Sequence, residues 1–177
     1  MALKKPIDVP LSYAYHDSPI GPLLLASDGD NLCVLSFPRG SRARDPDDGW
    51  RQDKTPFSET FRQLDDYFDG KRLDFDLPLR PIGTEFQQSV WTQLQIIPYG
   101  ETISYGELAT RIGNKNASRA VGAANGANPI AIIIPCHRVI GADRSMTGFG
   151  GGIDLKIRLL NHEIEHSPYE GDQGRLF

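Results

Sequence analysis

The sequence predicts an α+β chain in two unequal parts, on three observations. Short β-like runs cluster in the first third, one strictly alternating run closes that third, and each helical pattern after it carries its own start and stop signals. At 177 residues the chain is long enough for one large domain or two small ones, and for a core that needs no covalent staples. Its two cysteines, Cys33 and Cys136, lie far apart and do not make a disulfide framework, so a reducing compartment is expected. MALKKPIDVPLSY lacks the apolar centre of a secretory signal, and the longest apolar run, residues 130–135, is too short to span a membrane. A cytoplasmic protein with no membrane partner is expected.

Residues 12–16, 22–27 and 32–37 read as strands, with Asp28-Gly29-Asp30 turning the chain between the last two. Residues 39–54 are polar, carry both charges and contain Pro46 and Gly49, which predicts a mobile surface loop with Trp50 as a local anchor. Phe57, Phe61, Leu64 and Phe68 recur at helical spacing, and Gly70 follows as a C-terminal cap. LDFDLPL alternates, predicting a strand with Leu73, Phe75, Leu77 and Leu79 on one face. RPIGTEF then marks a boundary, which divides the chain into units 1–81 and 82–165 and a tail, 166–177.

In the second unit, Thr84 and Gln87 form a capping box for a helix whose Phe86, Val90, Leu94 and Ile97 make an apolar stripe ended by Pro98 and Gly100. Ser104 and Glu107 open a shorter helix with Tyr105, Leu108, Ala109 and Ile112 on one side and Gly113 beyond its end. Asn116 reads as the N-cap of a third helix through ASRAVGAANG, so the pair forms a helix-turn-helix or a plain helical corner. With Ala117, Val121 and Ala124 turned inward, the outer face carries Arg119, Gly122, Ala123 and Gly126: one long cation on a nearly bare surface. A helix that reads the major groove usually carries several long polar side chains, whereas a bare one suits close backbone approach to the minor groove and insertion of a single side chain. The net charge of −4 excludes a large basic footprint. Within 105–144, however, Arg111, Lys115, Arg119, Arg138 and Arg144 face only Glu107 and Asp143, which leaves room for a local one.

Ile132, Ile133 and Ile134 read as a buried strand leading to Cys136. Downstream, Ile153, Ile157, Leu160 and Ile164 form a helical stripe, with Lys156 and Glu163 at its edge and His162 on the solvent side. Taken alone, Cys136 reads as an inert core residue and Glu163 as a rim carboxylate. The alternative is nucleophilic chemistry. A thiol is only a few per cent ionised at neutral pH, a histidine can take its proton, and a carboxylate fixes that histidine's tautomer. Adjacent residues need a turn or a bridging water to make that contact. No metal is expected, because Cys136 and His137 have no second pair at ligand spacing and Cys33 and His16 are isolated.

NPIAIIIPCHRVIG, preceded by SYGELATRIG and ASRAVGAANGANP and followed by MTGFGGGIDLKIRLLNHE, resembles the O6-alkylguanine-DNA alkyltransferase family in its bacterial methylated-DNA–protein-cysteine methyltransferase form. The resemblance is specific over residues 82–165 and rests on layout alone over 1–81. It implies an RNase H-like N-terminal domain and a winged-helix-like C-terminal domain that binds the minor groove of double-stranded DNA and flips out the damaged nucleotide. The implied reaction is direct-reversal repair. An alkyl group moves irreversibly and stoichiometrically from O6-alkylguanine, and secondarily from O4-alkylthymine, to Cys136, in a single turnover by a monomer without a cofactor.

The resemblance also implies roles for single residues. His137 would be linked to Cys136 through water and to Glu163 directly, and Asn128 would brace the turn that holds Cys136. Arg119 would fill the gap left by the flipped base, with Ser118, Ala120, Ala123, Asn125 and Gly126 on the DNA-binding helix beside it. Tyr105 would donate toward guanine N3 and help rotate the nucleotide. Val139, Met146, Phe149, Gly150 and Lys156 would complete the pocket, with residues 145–152 as its loop. Phe149 stands where many members have tyrosine, so it can stack on a base but has no hydroxyl to donate. Two other readings remain: a non-catalytic damage-recognition module, as in relatives that lack the cysteine, and a cysteine hydrolase, which leaves Arg119 and its bare helix unexplained.

Overall fold

Leu23, Leu24 and Leu25 follow one another without a polar residue, as suits a strand covered on both faces. In the computed structural model, which describes residues 10–168, they open β2 (Leu23–Ser27). With β1 (Ser12–His16) and β3 (Leu32–Ser36), β2 makes an antiparallel meander. The Asp28 carboxylate sets the β2–β3 turn by accepting from the backbone N–H groups of Asp30 and Asn31, while Gly29 takes a φ of +106° that other residues avoid. Residues 39–54 are only in part the loop that their composition predicts. Near their end, β4 (Arg51–Gln52) pairs in parallel with β1, and the sheet order is β3-β2-β1-β4. Trp50 packs beside Tyr13 in a small cluster with Leu11, Ala26, Cys33 and Val34, and Arg44 lies over its ring at 5.0 Å.

The aromatic repeat forms α1 (Ser58–Phe68), and Gly70 follows it at φ +71°. Its buried face runs through Thr60, Gln63, Leu64 and Tyr67, whereas Phe61 and Phe68 are half-buried. LDFDLPL is not a strand. Leu73, Phe75, Leu77 and Leu79 do pack on the core, but the backbone makes only one bridge, Leu79 to Leu32. Two features prevent a ladder. Pro78 has no N–H, and the Gln63 side chain both donates to the Asp76 carbonyl and accepts from its N–H, each at 2.9 Å.

Four helices dominate the second unit: α2 (Glu85–Leu94), α3 (Tyr105–Arg111), α4 (Ser118–Gly126) and α5 (Ile153–Glu165). A short parallel pair, β5 (Ile103–Ser104) and β6 (Val139–Ile140), accompanies them. Both capping boxes form. Asn116 is not a cap: α4 begins after Ala117 without a side-chain bond, and the Asn116 N–H itself donates to Asn114 Oδ1.

Two apolar faces are rotated from the simple stripe. In α2, Trp91 is buried and Phe86 is 37% exposed, because the Trp91 indole N–H donates to the Ala124 carbonyl at 2.8 Å and ties α2 to α4. In α5 the buried set is Leu155, Lys156, Leu159, Leu160 and Glu163, while Ile153 is 47% exposed. Lys156 and Glu163 therefore sit at the centre of the face and not at its edge. Nor does His162 point to solvent, since its Nε2 donates to the Tyr67 carbonyl at 2.8 Å. Polar residues with partners can occupy a buried face that hydrophobicity alone assigns to isoleucine.

The units share one continuous core and also a backbone seam. On the outer edge of β3, the Leu35 N–H donates to the Pro129 carbonyl at 2.9 Å and the Ala131 N–H donates back to the Leu35 carbonyl at 3.0 Å. The isoleucine run that follows is a series of tight turns and not the buried strand its composition predicts. Among the described residues, no helix is long and apolar enough to cross a membrane.

Candidate active site

A single 3₁₀ turn, Cys136–Arg138, follows Pro135 and puts three chemistry-bearing side chains together. Its approach is held by Asn128, whose amide donates to the Ile134 carbonyl at 2.7 Å and accepts from the Ile130 N–H at 3.0 Å. Between these anchors Ile132 takes φ +70°, a strained conformation for a β-branched residue that only a well-fixed surrounding maintains.

His137 and Glu163 are fully buried and meet at 2.7 Å, Nε2 to Oε1. An ionised carboxylate can only accept, so His137 donates from Nε2 and keeps its lone pair on Nδ1, a buried atom with no partner among the described residues. Glu163 has further donors. Arg138 reaches it from Nε at 2.8 Å and from Nη2 at 3.0 Å, the Gly100 N–H at 3.1 Å and the Tyr67 hydroxyl at 2.9 Å. Arg138 also donates from Nη1 to the Ile97 carbonyl at 2.6 Å, and its guanidinium lies 5.7 Å from the centre of the Tyr99 ring.

The electrostatics follow from this packing. Burial pushes Glu163 up, but the His137 contact and the Arg138 guanidinium outweigh it and hold the carboxylate well below its usual range. Burial lowers His137 despite Glu163, with Arg138 and Lys156 adding to the drop. The Cys136 thiol is pushed up by burial, against the pull of Asn128 and Lys156. Burial also brings Lys156 down to about 8, with Cys136 opposing. The resting site is a neutral thiol beside a neutral imidazole, with a carboxylate clamped by a guanidinium behind them.

A cleft of about 330 Å³ reaches Cys136, within the range of small-ligand sites. Gly126, Asn128, Phe149 and Gly150 line one side, and Leu35, Phe37 and residues 41–44 of the first unit line the other. The Phe149 ring packs 5.3 Å from Phe37, and the Arg42 N–H donates to the Gly150 carbonyl at 3.1 Å. Behind the glycine loop, the Tyr105 hydroxyl and the Lys156 ammonium each donate to the Thr147 carbonyl at 3.2 Å.

The residues singled out by sequence fall into separate groups. Cys136, His137, Glu163 and Asn128 converge, Tyr105 and Lys156 meet behind the loop, and Phe149 and Gly150 form the cleft wall. Val139 and Met146 do not line the cleft: Val139 is fully buried in β6, and Met146 is half-buried on the loop. On α4, Arg119, Ala120 and Ala123 are exposed, and Ser118 and Gly126 are half-buried. Asn125 is a correction to that face. It is 2% exposed and turned inward, with its amide donating to the Cys136 carbonyl at 3.2 Å, because it lies four residues past buried Val121 and next to buried Ala124 on the inner face of the helix.

Sequence reasoning missed Tyr67 and Arg138. Arg138 could have been found from its place in the PCHR run beside the thiol. The helical set Thr60, Leu64 and Tyr67 marks Tyr67 as inward, but nothing local points to a partner 96 residues away. Among the described residues, no three His, Cys, Asp or Glu side chains group as a metal site.

Two family models cover most of the chain. The 6-O-methylguanine DNA methyltransferase ribonuclease-like domain matches residues 11–81, and the 6-O-methylguanine DNA methyltransferase DNA binding domain matches residues 85–165. A methylated-DNA–protein-cysteine methyltransferase of Methanosarcina acetivorans is 53% identical over 151 residues, spanning 85% of this chain and 97% of that one. Its namesake in Haemophilus influenzae is 48% identical over 162 residues, spanning 90% and 88%. The crystal structure of Mycobacterium tuberculosis O6-methylguanine methyltransferase superposes with a TM-score of 0.83 at 50% identity, covering 90% of this chain and 96% of that one. The M. tuberculosis OGT in complex with DNA gives the same score and identity over 89% and 95%.

Proposed function

The chain belongs to the 6-O-methylguanine DNA methyltransferase family, and from that premise we propose that it repairs alkylated double-stranded DNA by moving the alkyl group of O6-alkylguanine to Cys136. The observation that carries this reading is Cys136 in a cleft that Gly126, at the end of α4, helps to line, with His137 next to it in the same 3₁₀ turn and paired with the buried Glu163. A non-catalytic module has no use for a thiol so placed.

The reaction forms an Sγ–C bond and breaks the bond from that carbon to guanine O6. Burial keeps the resting thiol protonated, so its proton leaves as the substrate docks, and His137 Nδ1 is the basic nitrogen within the site. Glu163 stabilises the resulting imidazolium, and Lys156 supplies a positive field for the thiolate. The departing guanine takes up negative charge and needs donors, for which the Tyr105 hydroxyl, beside the glycine loop, is suited. The thioether product is not readily reversed, so one molecule repairs one lesion.

Flipping fits the same surfaces. A base in a duplex cannot reach a buried thiol, and the exposed face of α4 offers Arg119 among small residues to approach the minor groove and fill the vacated stack. O4-alkylthymine is the second substrate. The protein acts as a monomer in the cytoplasm, where Cys33 and Cys136, both free thiols, remain reduced. Incubation with duplex DNA holding one O6-methylguanine, followed by mass spectrometry of the peptides, is expected to show one added methyl group on Cys136 and loss of the lesion. Methyl uptake by Cys136→Ala protein, or repeated turnover without a modified cysteine, would overturn the assignment.

A further inference from the structure

Tyr67 belongs to the first unit, yet its hydroxyl ends on the carboxylate behind the nucleophile. It is fully buried, and its ring is packed by Phe68, Phe75, Tyr99 and His162. Its own carbonyl accepts from His162 Nε2, so α1 grips α5 at two successive residues, His162 and Glu163.

Glu163 does not need this phenol to be satisfied. A carboxylate has about four lone-pair positions. Arg138 twice, the Gly100 N–H and His137 already supply four donors. Tyr67 is a fifth, and it falls on Oε1, the oxygen that His137 uses. Donors sharing one oxygen weaken one another, so the phenol's hold limits how strongly Oε1 binds the His137 N–H. Other groups near the pair are Arg138 on the 3₁₀ turn, which also carries Cys136, Tyr99 ahead of β5, and Lys156 and His162 on α5. Of the charged groups that weigh most on His137, Glu163 is the carboxylate, with Arg138 and Lys156 opposing it.

We propose that Tyr67 is a positioning residue for alkyl transfer: by bonding Glu163 Oε1 it sets the orientation and basicity of His137, so that the first unit takes part in activating Cys136. The inference rests on the proposed alkyl-transfer reading. Without the phenol, Oε1 binds the His137 N–H more strongly, and the ring becomes more basic. Its protonated form cannot accept the thiol's proton, so the acid limb of the rate profile moves to higher pH.

The experiment compares the full-length chain with Tyr67→Phe. Single-turnover methyl transfer from O6-methylguanine duplex is measured against pH, duplex affinity is measured alongside it, and the ring nitrogens of His137 are titrated by ¹⁵N NMR in the unreacted protein. Expected are a roughly 3- to 10-fold slower transfer at neutral pH, an acid limb and a His137 titration that both move upward in pH, and unchanged affinity for duplex. An unmoved limb and an unmoved titration overturn the proposal, even if the rate falls. Should Tyr67→Phe fold poorly, 3-fluorotyrosine at position 67 keeps the shape and donates more strongly, and both readouts must then move downward in pH. If the unsubstituted chain transfers no methyl group, the functional reading fails, while the NMR titration still decides what Tyr67 does to His137.

Discussion

Lys156 is fully buried, makes no ion pair among the described residues, and rests its ammonium against the Thr147 carbonyl and, at 5.9 Å each, the rings of Tyr105 and Phe149. Such a charge destabilises the resting fold, and under the proposed alkyl transfer its use is the positive field it supplies when Cys136 ionises. Burial brings its pKa down to about 8 from an ordinary 10.5, so the folded state binds fewer protons than the unfolded state between those values. Stability then rises with pH across that window, and the full cost is present at pH 7. Lys156→Met is therefore expected to raise the unfolding free energy at pH 7 by roughly 1–3 kcal/mol, to remove the alkaline rise in a urea-denaturation series, and to slow methyl transfer. Cys33 is likewise a buried thiol, but it lies away from the cleft. Burial pushes it up to about 11, and it packs in the small cluster around Trp50 as a strand residue.

At the scale of elements, α4 is the clearest division of labour. Val121, Ala124 and Asn125 face the core, with Asn125 on the Cys136 carbonyl, while Arg119, Ala120 and Ala123 face out. One helix thus supports the cysteine turn and, in the proposed function, presents the surface for DNA. A base-flipping role for Arg119 concerns duplex substrates only. Arg119→Ala is accordingly expected to slow repair of O6-methylguanine in duplex DNA at least 10-fold, by analogy with the loss of an inserted side chain, while reaction with free O6-benzylguanine stays within about twofold. Parallel rate measurements on the two substrates decide it, and equal losses reject the role. The 3₁₀ turn shows the same economy, since Pro135, Cys136, His137 and Arg138 are all buried within four positions.

For the whole molecule, the two units are joined at the seam between β3 and residues 129–131 and again at Glu163, where Tyr67 of the first unit meets His137 and Arg138 of the second. The folded-state pKa of Glu163 is depressed, so its contribution to stability is complete above its ordinary value of 4.5 and is lost as pH falls below it. An acid series of unfolding free energies should show a limb in that region that is absent from Glu163→Gln, whose own stability at pH 7 should be lower by about 3–5 kcal/mol because Arg138 is left buried and unpaired.

Much was legible without coordinates. The capping boxes, the Asp28 turn, the aromatic repeat of α1 and the adjacency of Cys136 and His137 are encoded within a few residues of each other, where local hydrogen bonding and periodicity act directly. The alternation of LDFDLPL was read as a strand because alternation reports burial and not pairing, and the pairing was decided by Gln63 and Pro78. The faces of α2 and α5 were misjudged for a related reason: Trp91, Lys156 and Glu163 are buried because partners in other elements satisfy their polar atoms. Local patterns in the chain thus carry most of the elements, the adjacency of Cys136 and His137, and the bare helix with its single arginine. Only the tertiary structure decided that Asn125 turns inward, that Ile132 is held in a strained turn, and that Tyr67 and Arg138 complete the cage around Glu163. Those contacts span from 11 to 96 residues of chain, or depend on backbone strain that only surrounding packing can hold, and no local pattern carries either.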